Sequence, residues 1–294
     1  MHRNDLDSLT PTRDFSRRDF VATTVGSGFA AAVLPVTAQT IKTDQAGLDA
    51  GEVTIGVGDF KMPAYRAAPA GKTGLPVILV ISEIFGVHEH IADLTRRFAK
   101  LGYLAIAPEL FVRQGDAMNQ PDIATLMNNI IGKVPDAQVM GDLDATVAWA
   151  KANGGDTSKL GITGFCWGGR ITWLYAAHQS THHPGVKAGV AWYGRLVGTA
   201  TALTPKHPVD VTGSLAGPVL GLYGGADAGI PLDTVDKMKG ALSSGSAAAK
   251  KSEFVVYPDT PHAFNADYRP SYRKPAADDG WARCLAWFKA NGVV

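Results

Sequence analysis

Apolar residues along this chain follow two rhythms that take turns. Leu75-Pro76-Val77-Ile78-Leu79-Val80-Ile81-Ser82 is the longest continuous apolar run of the central part, the pattern of a strand covered on both faces. His88 to Leu101 follows, with Ile91, Leu94 and Phe98 on one face and Arg96, Arg97 and Lys100 toward its end, which predicts an amphipathic helix. Tyr103-Leu104-Ala105-Ile106-Ala107 is the next strand, stopped by Pro108, and the polar stretch 109–121 is a long connection of the kind that borders sites. Helical spacing returns through Val139, Leu143, Val147 and Ala150 and ends at Gly154-Gly155. Strands are expected at 159–163, 186–193, 218–223 and 253–257, and helices at 170–178, 232–242 and 276–290. Two weakly alternating segments, 52–57 and 62–68, flank Gly58-Asp59 as an opening hairpin. Strand and helix alternate without an internal repeat. This predicts a doubly wound, mostly parallel α/β sheet with helices on both faces, in a single domain over 52–294.

The ends of the chain read differently. Ser16-Arg17-Arg18-Asp19-Phe20-Val21 pairs two arginines with an apolar residue, a modest Ala/Gly-rich apolar run extends from Ala22 to Val36, and Val36-Thr37-Ala38 offers small residues for cleavage. Residues 1–38 resemble a twin-arginine export signal. The resemblance implies a bacterial protein carried folded by the twin-arginine machinery to the periplasm or beyond, with no stable membrane anchor after processing. Residues 39–51, small and polar, read as a linker.

Composition narrows the function classes. The 294 residues are 46% hydrophobic and 19% charged, with a net charge of +1, which gives no reason to expect nucleic acid. The two cysteines, Cys166 and Cys284, make no disulfide framework, and no Cys/His cluster has metal-ligand spacing. On these grounds neither a nucleic-acid partner nor a metal site is expected.

Candidate chemistry gathers where strands end, as it does in doubly wound sheets. Gly164-Phe165-Cys166-Trp167-Gly168-Gly169 lies between the strand at 159–163 and the helix at 170–178. A nucleophile at a strand–helix corner between glycines is the layout of G-x-S-x-G, with cysteine for serine. After the strand at 218–223 comes Gly224-Gly225-Ala226-Asp227, and after that at 253–257 comes Pro258-Asp259-Thr260-Pro261-His262. Cys166, Asp227, His262 is the chain order of the α/β-hydrolases. Asp259 competes for the acid role but follows a different strand. A histidine that accepts the thiol proton, oriented by a carboxylate, would make the sulfur a nucleophile toward an acyl carbon, aided by the helix N-terminus. At the end of the strongest strand stands Glu83, costly to bury unpaired and expected to modulate the thiol. The backbone N–H groups of Ile84 and Trp167 are the expected oxyanion donors.

Glu83-Ile84-Phe85-Gly86, Gly164 to Gly169, Gly225-Ala226-Asp227 and His262-Ala263-Phe264 together resemble the dienelactone hydrolases (carboxymethylenebutenolidases), over roughly residues 52–292. The resemblance implies an α/β-hydrolase fold, a Cys166–His262–Asp227 triad, cofactor-free hydrolysis of a lactone or ester through an acyl-enzyme, and a thiol held in check by Glu83. Ala107 to Arg113 looks like the family segment whose arginine binds the substrate carboxylate, which gives Arg113 that role. The family's second carboxylate-binding arginine, shortly after the histidine, is missing: alanine stands at the expected place in His262-Ala263-Phe264-Asn265-Ala266-Asp267-Tyr268-Arg269. Arg269 or Arg273 could reach in from elsewhere, and the alternative reading of both is as surface residues. The competing reading is a non-catalytic ligand-binding or redox-sensing protein of the same fold that uses Cys166.

Overall fold

The hairpin around Gly58-Asp59 consists of β1 (Leu48–Val57) and β2 (Phe60–Pro69), paired antiparallel. The α/β alternation then runs β3 (Leu75–Ile81), α1 (Glu89–Lys100), β4 (Leu104–Pro108), α2 (Ile123–Asn129), α3 (Asp136–Ala152), β5 (Gly155–Phe165) and α4 (Trp167–Ala176). It continues through β6 (Ala188–Trp192), β7 (Val219–Gly224), α5 (Leu232–Ser243), β8 (Glu253–Tyr257) and α6 (Lys274–Ala290). This computed structural model describes residues 40–180 and 185–294. The expected export signal at 1–38 lies outside the described residues.

The eight strands form one sheet in the order β1-β2-β4-β3-β5-β6-β7-β8. β2 meets β4 antiparallel, and every pairing from β4 through β8 is parallel. The doubly wound expectation holds, with the antiparallel hairpin as one edge. β3 lies between β4 and β5, and Val77 to Ile81 have no solvent exposure, which accounts for its unbroken apolar run. Phe98 of α1 packs on Trp281 of α6 at 4.7 Å between ring centroids, joining two helices over one face. Tyr175 of α4 donates to Asp144 of α3 at 3.0 Å, joining two over the other.

Two local readings are corrected. β1 starts at Leu48, so the stretch read as a linker is partly strand. Its earlier residues are fastened to the domain: Ile41 N–H donates to Asp267 (3.1 Å), and Arg96 donates to the Thr43 carbonyl (3.0 Å). Polar, small residues gave no apolar signal because backbone groups make these contacts. The helix α2 was not expected. Its 7 residues are too few for a resolvable period, and it is started by Asp122, whose side chain accepts from Thr125 N–H at 2.7 Å.

Candidate active site

β5 delivers Cys166 to the middle of the sheet's carboxyl edge, between the ends of β3 and β6. Cys166 has φ 53° and ψ −112°, a left-handed backbone that costs a non-glycine residue about 1–3 kcal/mol and persists only where the surroundings enforce it. They do. Cys166 N–H donates to the Trp192 carbonyl (3.0 Å), and its own carbonyl accepts from Gly169 N–H (3.0 Å). The flanking glycines allow the turn to close. A Cβ on Gly164 would lie 2.2 Å from the Gly168 carbonyl oxygen, and one on Gly168 would lie 2.4 Å from that of Ile81. Side chains at these two positions would therefore collide with the helix start and the neighbouring strand, and Cys166 stands at the N-terminus of α4.

β7 and β8 bring the other two members. Asp227 accepts from Gly229 N–H (2.9 Å) and Ile230 N–H (3.2 Å) through Oδ1. Its Oδ2 lies 2.6 Å from His262 Nδ1. A carboxylate already accepting twice fixes the histidine's tautomer: Nδ1–H donates to Asp227, which leaves Nε2 as the proton acceptor, and the Cys166 sulfur is close enough to act on the imidazole's charge. Burial opposes the imidazolium, but the Cys166 sulfur and the Asp227 carboxylate outweigh it and raise His262 well above the usual histidine range. The Tyr193 ring meets His262 edge-on at 5.1 Å. Asp259 is exposed beyond β8, so Asp227 is the carboxylate that meets the imidazole.

Glu83 follows β3 and is 2% exposed. The partner its burial requires is Arg269, which donates to Oε2 at 2.8 Å, joined by the Tyr268 hydroxyl at 3.0 Å. Burial favours the neutral acid, yet the Arg269 guanidinium and nearby histidines hold Glu83 below its ordinary value. Arg269 lies against the Phe85 and Tyr268 rings, each at 5.1 Å, and is 7% exposed. Of its two readings, a surface residue and one that reaches in from elsewhere, the structure agrees with the second. Nothing local in the sequence marks it, because its partner is 186 residues away. Behind this pair, His88 Nε2 lies 3.3 Å from the Tyr268 hydroxyl. Burial, reinforced by neighbouring His90, pushes His88 down to about 3.

Cys166, Asp227 and His262 open into a cavity of about 340 Å³. Ile84 and Trp167 line it too, so the structure brings together every expected site residue that faces the substrate side except Arg113. Arg113 is elsewhere. Its guanidinium donates twice to Asp142 on α3 (2.6 and 2.8 Å) and stacks on Phe60 at 4.2 Å. The side chain serves a buried carboxylate, not the cavity, and the substrate-binding expectation for it is corrected. Cys284 is fully buried on α6, and burial pushes its thiol far up, so the two cysteines form no redox pair.

Comparison with known proteins agrees with the geometry. Residues 62–292 match the model of the dienelactone hydrolase family. A protein of Methylorubrum extorquens named "Putative carboxymethylenebutenolidase" is 60% identical over 292 residues, covering 99% of this chain and 98% of its own. A protein of the same name from Escherichia coli K12 is 53% identical over 273 residues, covering 92% of this chain and 98% of its own. The crystal structure of a "Putative Dienelactone Hydrolase" from Klebsiella pneumoniae superposes with a TM-score of 0.78 at 56% identity, over 82% of this chain and 98% of that one. An arrangement read from strand ends and the relatives' full-length similarity lead to one assignment: the chain belongs to the dienelactone hydrolase family, hydrolases on the α/β-hydrolase fold.

Proposed function

We propose that the protein hydrolyses an ester or lactone through Cys166, with His262 as base and acid, Asp227 as its orienting partner and a thioester intermediate. The observation that carries this reading is the 2.6 Å Asp227–His262 contact, which presents the remaining imidazole nitrogen to a cysteine held in a strained elbow. The imidazole, whose proton affinity is raised by its surroundings, takes the thiol proton as the sulfur attacks. The sulfur attacks the acyl carbon. The oxygen that becomes negative is met by the N–H groups of Ile84 and Trp167. The latter is the first residue of α4 and so has no partner within the helix. His262 then protonates the departing alkoxide, and the acyl group remains on sulfur as a thioester. Water attacks the thioester while His262 takes its proton; the acid leaves and the thiol is restored.

Glu83 sets the charge behind this centre. A free carboxylate there would oppose a thiolate, whereas one bound to Arg269 opposes it less, because the guanidinium charge also reaches Cys166. The decisive test is hydrolysis of activated esters and lactones by wild type, Cys166→Ala and Cys166→Ser. Loss of turnover in Cys166→Ala with an unchanged melting profile is expected, and a large loss in Cys166→Ser. Wild-type rates in Cys166→Ala would overturn the proposal. We further propose, from Arg17-Arg18 and the run that follows, that the protein is exported folded. Retention of an Arg17→Lys/Arg18→Lys variant inside the cell, with wild type outside, is the expected outcome.

A further inference from the structure

Among the described residues three other than glycine have positive φ: Cys166, Tyr193 and Ala263, the neighbour of His262. Backbone strain persists where the surroundings enforce it, and it gathers at functional positions. The first and third belong to the cysteine–histidine pair. Tyr193 has no role in the chemistry derived so far. It follows β6, whose last residue, Trp192, pairs in register with Phe165, so Tyr193 stands beside Cys166 at the sheet's carboxyl edge. The two are fixed together: Cys166 N–H donates to the Trp192 carbonyl (3.0 Å), and Tyr193 N–H to the Leu222 carbonyl (2.8 Å).

The Tyr193 side chain carries a second anomaly. Its ring lines the cavity and meets the rings of His262 and Phe264 edge-on at 5.1 and 5.2 Å. The residue is 1% exposed, and its buried hydroxyl has no hydrogen-bond partner among the described residues. A buried hydroxyl left unpaired is destabilising and uncommon. Burial, Glu83 and Cys166 keep its proton in place, raising it well above the ordinary tyrosine range against the opposing charge of Arg269. The group is therefore a neutral donor.

Its acceptor can be sought among the groups whose charge reaches it, which are Glu83, Arg269, Cys166 and Tyr268. A guanidinium accepts nothing. The Tyr268 hydroxyl already donates to Glu83 Oε2 and adjoins His88 Nε2. Glu83 Oε2 accepts from Arg269 and Tyr268, while Oε1 is buried and unpartnered. A neutral thiol is a weak acceptor. A sulfur that has passed its proton to His262 is a strong one. The other charged groups around the elbow are His262 with Asp227 behind it, Glu83 at the end of β3, and Arg269. Only one neutral donor, the Tyr193 hydroxyl, stands among them uncommitted.

Resting on the hydrolase reading above, we propose that Tyr193 is a further catalytic residue, whose hydroxyl donates to the Cys166 sulfur once the thiol proton has passed to His262. Tyr193 keeps its own proton, and no covalent bond to it forms or breaks. Because the hydrogen bond is absent while the thiol is neutral, it stabilises the reacting state and not the resting one. That explains why a strained, unpaired tyrosine is retained beside the elbow.

The test compares wild type with Tyr193→Phe, which removes only the hydroxyl. Alkylation by iodoacetamide from pH 5 to 10 reads the thiolate; Cys284 is fully buried, and Cys166→Ala supplies the blank. Without the donor the charged sulfur is less stable, so the alkylation midpoint should rise by about one pH unit. On 4-nitrophenyl acetate kcat should fall about tenfold with little change in KM. The melting temperature should not fall, because no hydrogen bond of the resting protein is lost. In a Glu83→Gln/Arg269→Gln background Tyr193→Phe should still raise the midpoint, since the sulfur and not Glu83 is the acceptor. An unmoved midpoint, a lowered melting temperature, or a shift that vanishes in that background overturns the inference and leaves a Cys166-dependent hydrolase intact. Ester turnover persisting in Cys166→Ala overturns the hydrolase reading itself, whatever the alkylation profile.

Discussion

Replacing Arg269 by glutamine would leave Glu83 buried without its counter-charge. Glu83 is 2% exposed and Arg269 7%, so solvent screens neither, and breaking such a pair from one side costs about 3–5 kcal/mol. For a domain of this size 1 kcal/mol moves the melting temperature by about 2–4 °C, which puts the expected drop at about 6–20 °C near neutral pH. Glu83→Gln/Arg269→Gln removes both charges and should recover most of the loss, since a neutral amide can still accept from Tyr268. The two variants also differ in pH dependence. In wild type the folded-state Glu83 is held below its ordinary value, so its stabilisation is present above the unfolded value and is lost as pH falls through the folded one. In Arg269→Gln, burial without the guanidinium raises the folded value above the unfolded one. The deficit is then full at high pH and shrinks as pH falls through the raised value. Thermal melts of wild type, single and double variants from pH 5 to 8 measure all of this. A single variant less than about 1 kcal/mol below wild type, or a double variant no more stable than the single, would refute a buried, mutually dependent pair.

Asp227→Asn keeps the size of the side chain but gives up the charge that fixes the His262 tautomer, so kcat on an activated ester should fall by at least about 10²-fold with little change in KM. His88 is held at about 3 in the fold against an ordinary value near 6.5. Its contribution is therefore fully present above pH 6.5 and declines as pH falls toward 3, by at most about 1.4 kcal/mol per pH unit. Denaturant titrations should show a shallower acid limb for His88→Gln than for wild type. Arg113→Ala unpairs Asp142, which is 1% exposed. It should lower stability by about 2–4 kcal/mol while leaving ester turnover by the folded enzyme unchanged.

Much of this molecule was legible because the relevant physics is local. The unexposed run Val77–Ile81, the helical stripes and the order Cys166, Asp227, His262 each depend on neighbours in the chain, and each corresponds to an observed element or contact. Gly164 and Gly168 were legible for the same reason, since the turn they permit is six residues wide. What stayed hidden depends on partners far away. Glu83 announced by its position that something must neutralise it, but not what, because Arg269 reaches it only after β8 is laid beside β7. Arg113 sits in a segment that resembles a binding element, and only the packing of α3 shows that Asp142 takes its guanidinium.

The missing arginine of the family pattern has a spatial answer in the loop after His262. That loop winds in successive tight turns, with Ala266 N–H donating to the Ala263 carbonyl and Arg269 N–H to the Ala266 carbonyl, both at 3.0 Å. Arg269, three residues beyond Ala266, nevertheless brings a cation within electrostatic reach of the Cys166 sulfur. Yet it arrives buried, with Glu83 as ligand and two rings against it. A guanidinium so fixed could be drawn to a substrate carboxylate only by leaving Glu83 unpaired in the interior, at the several-kcal/mol cost worked out above.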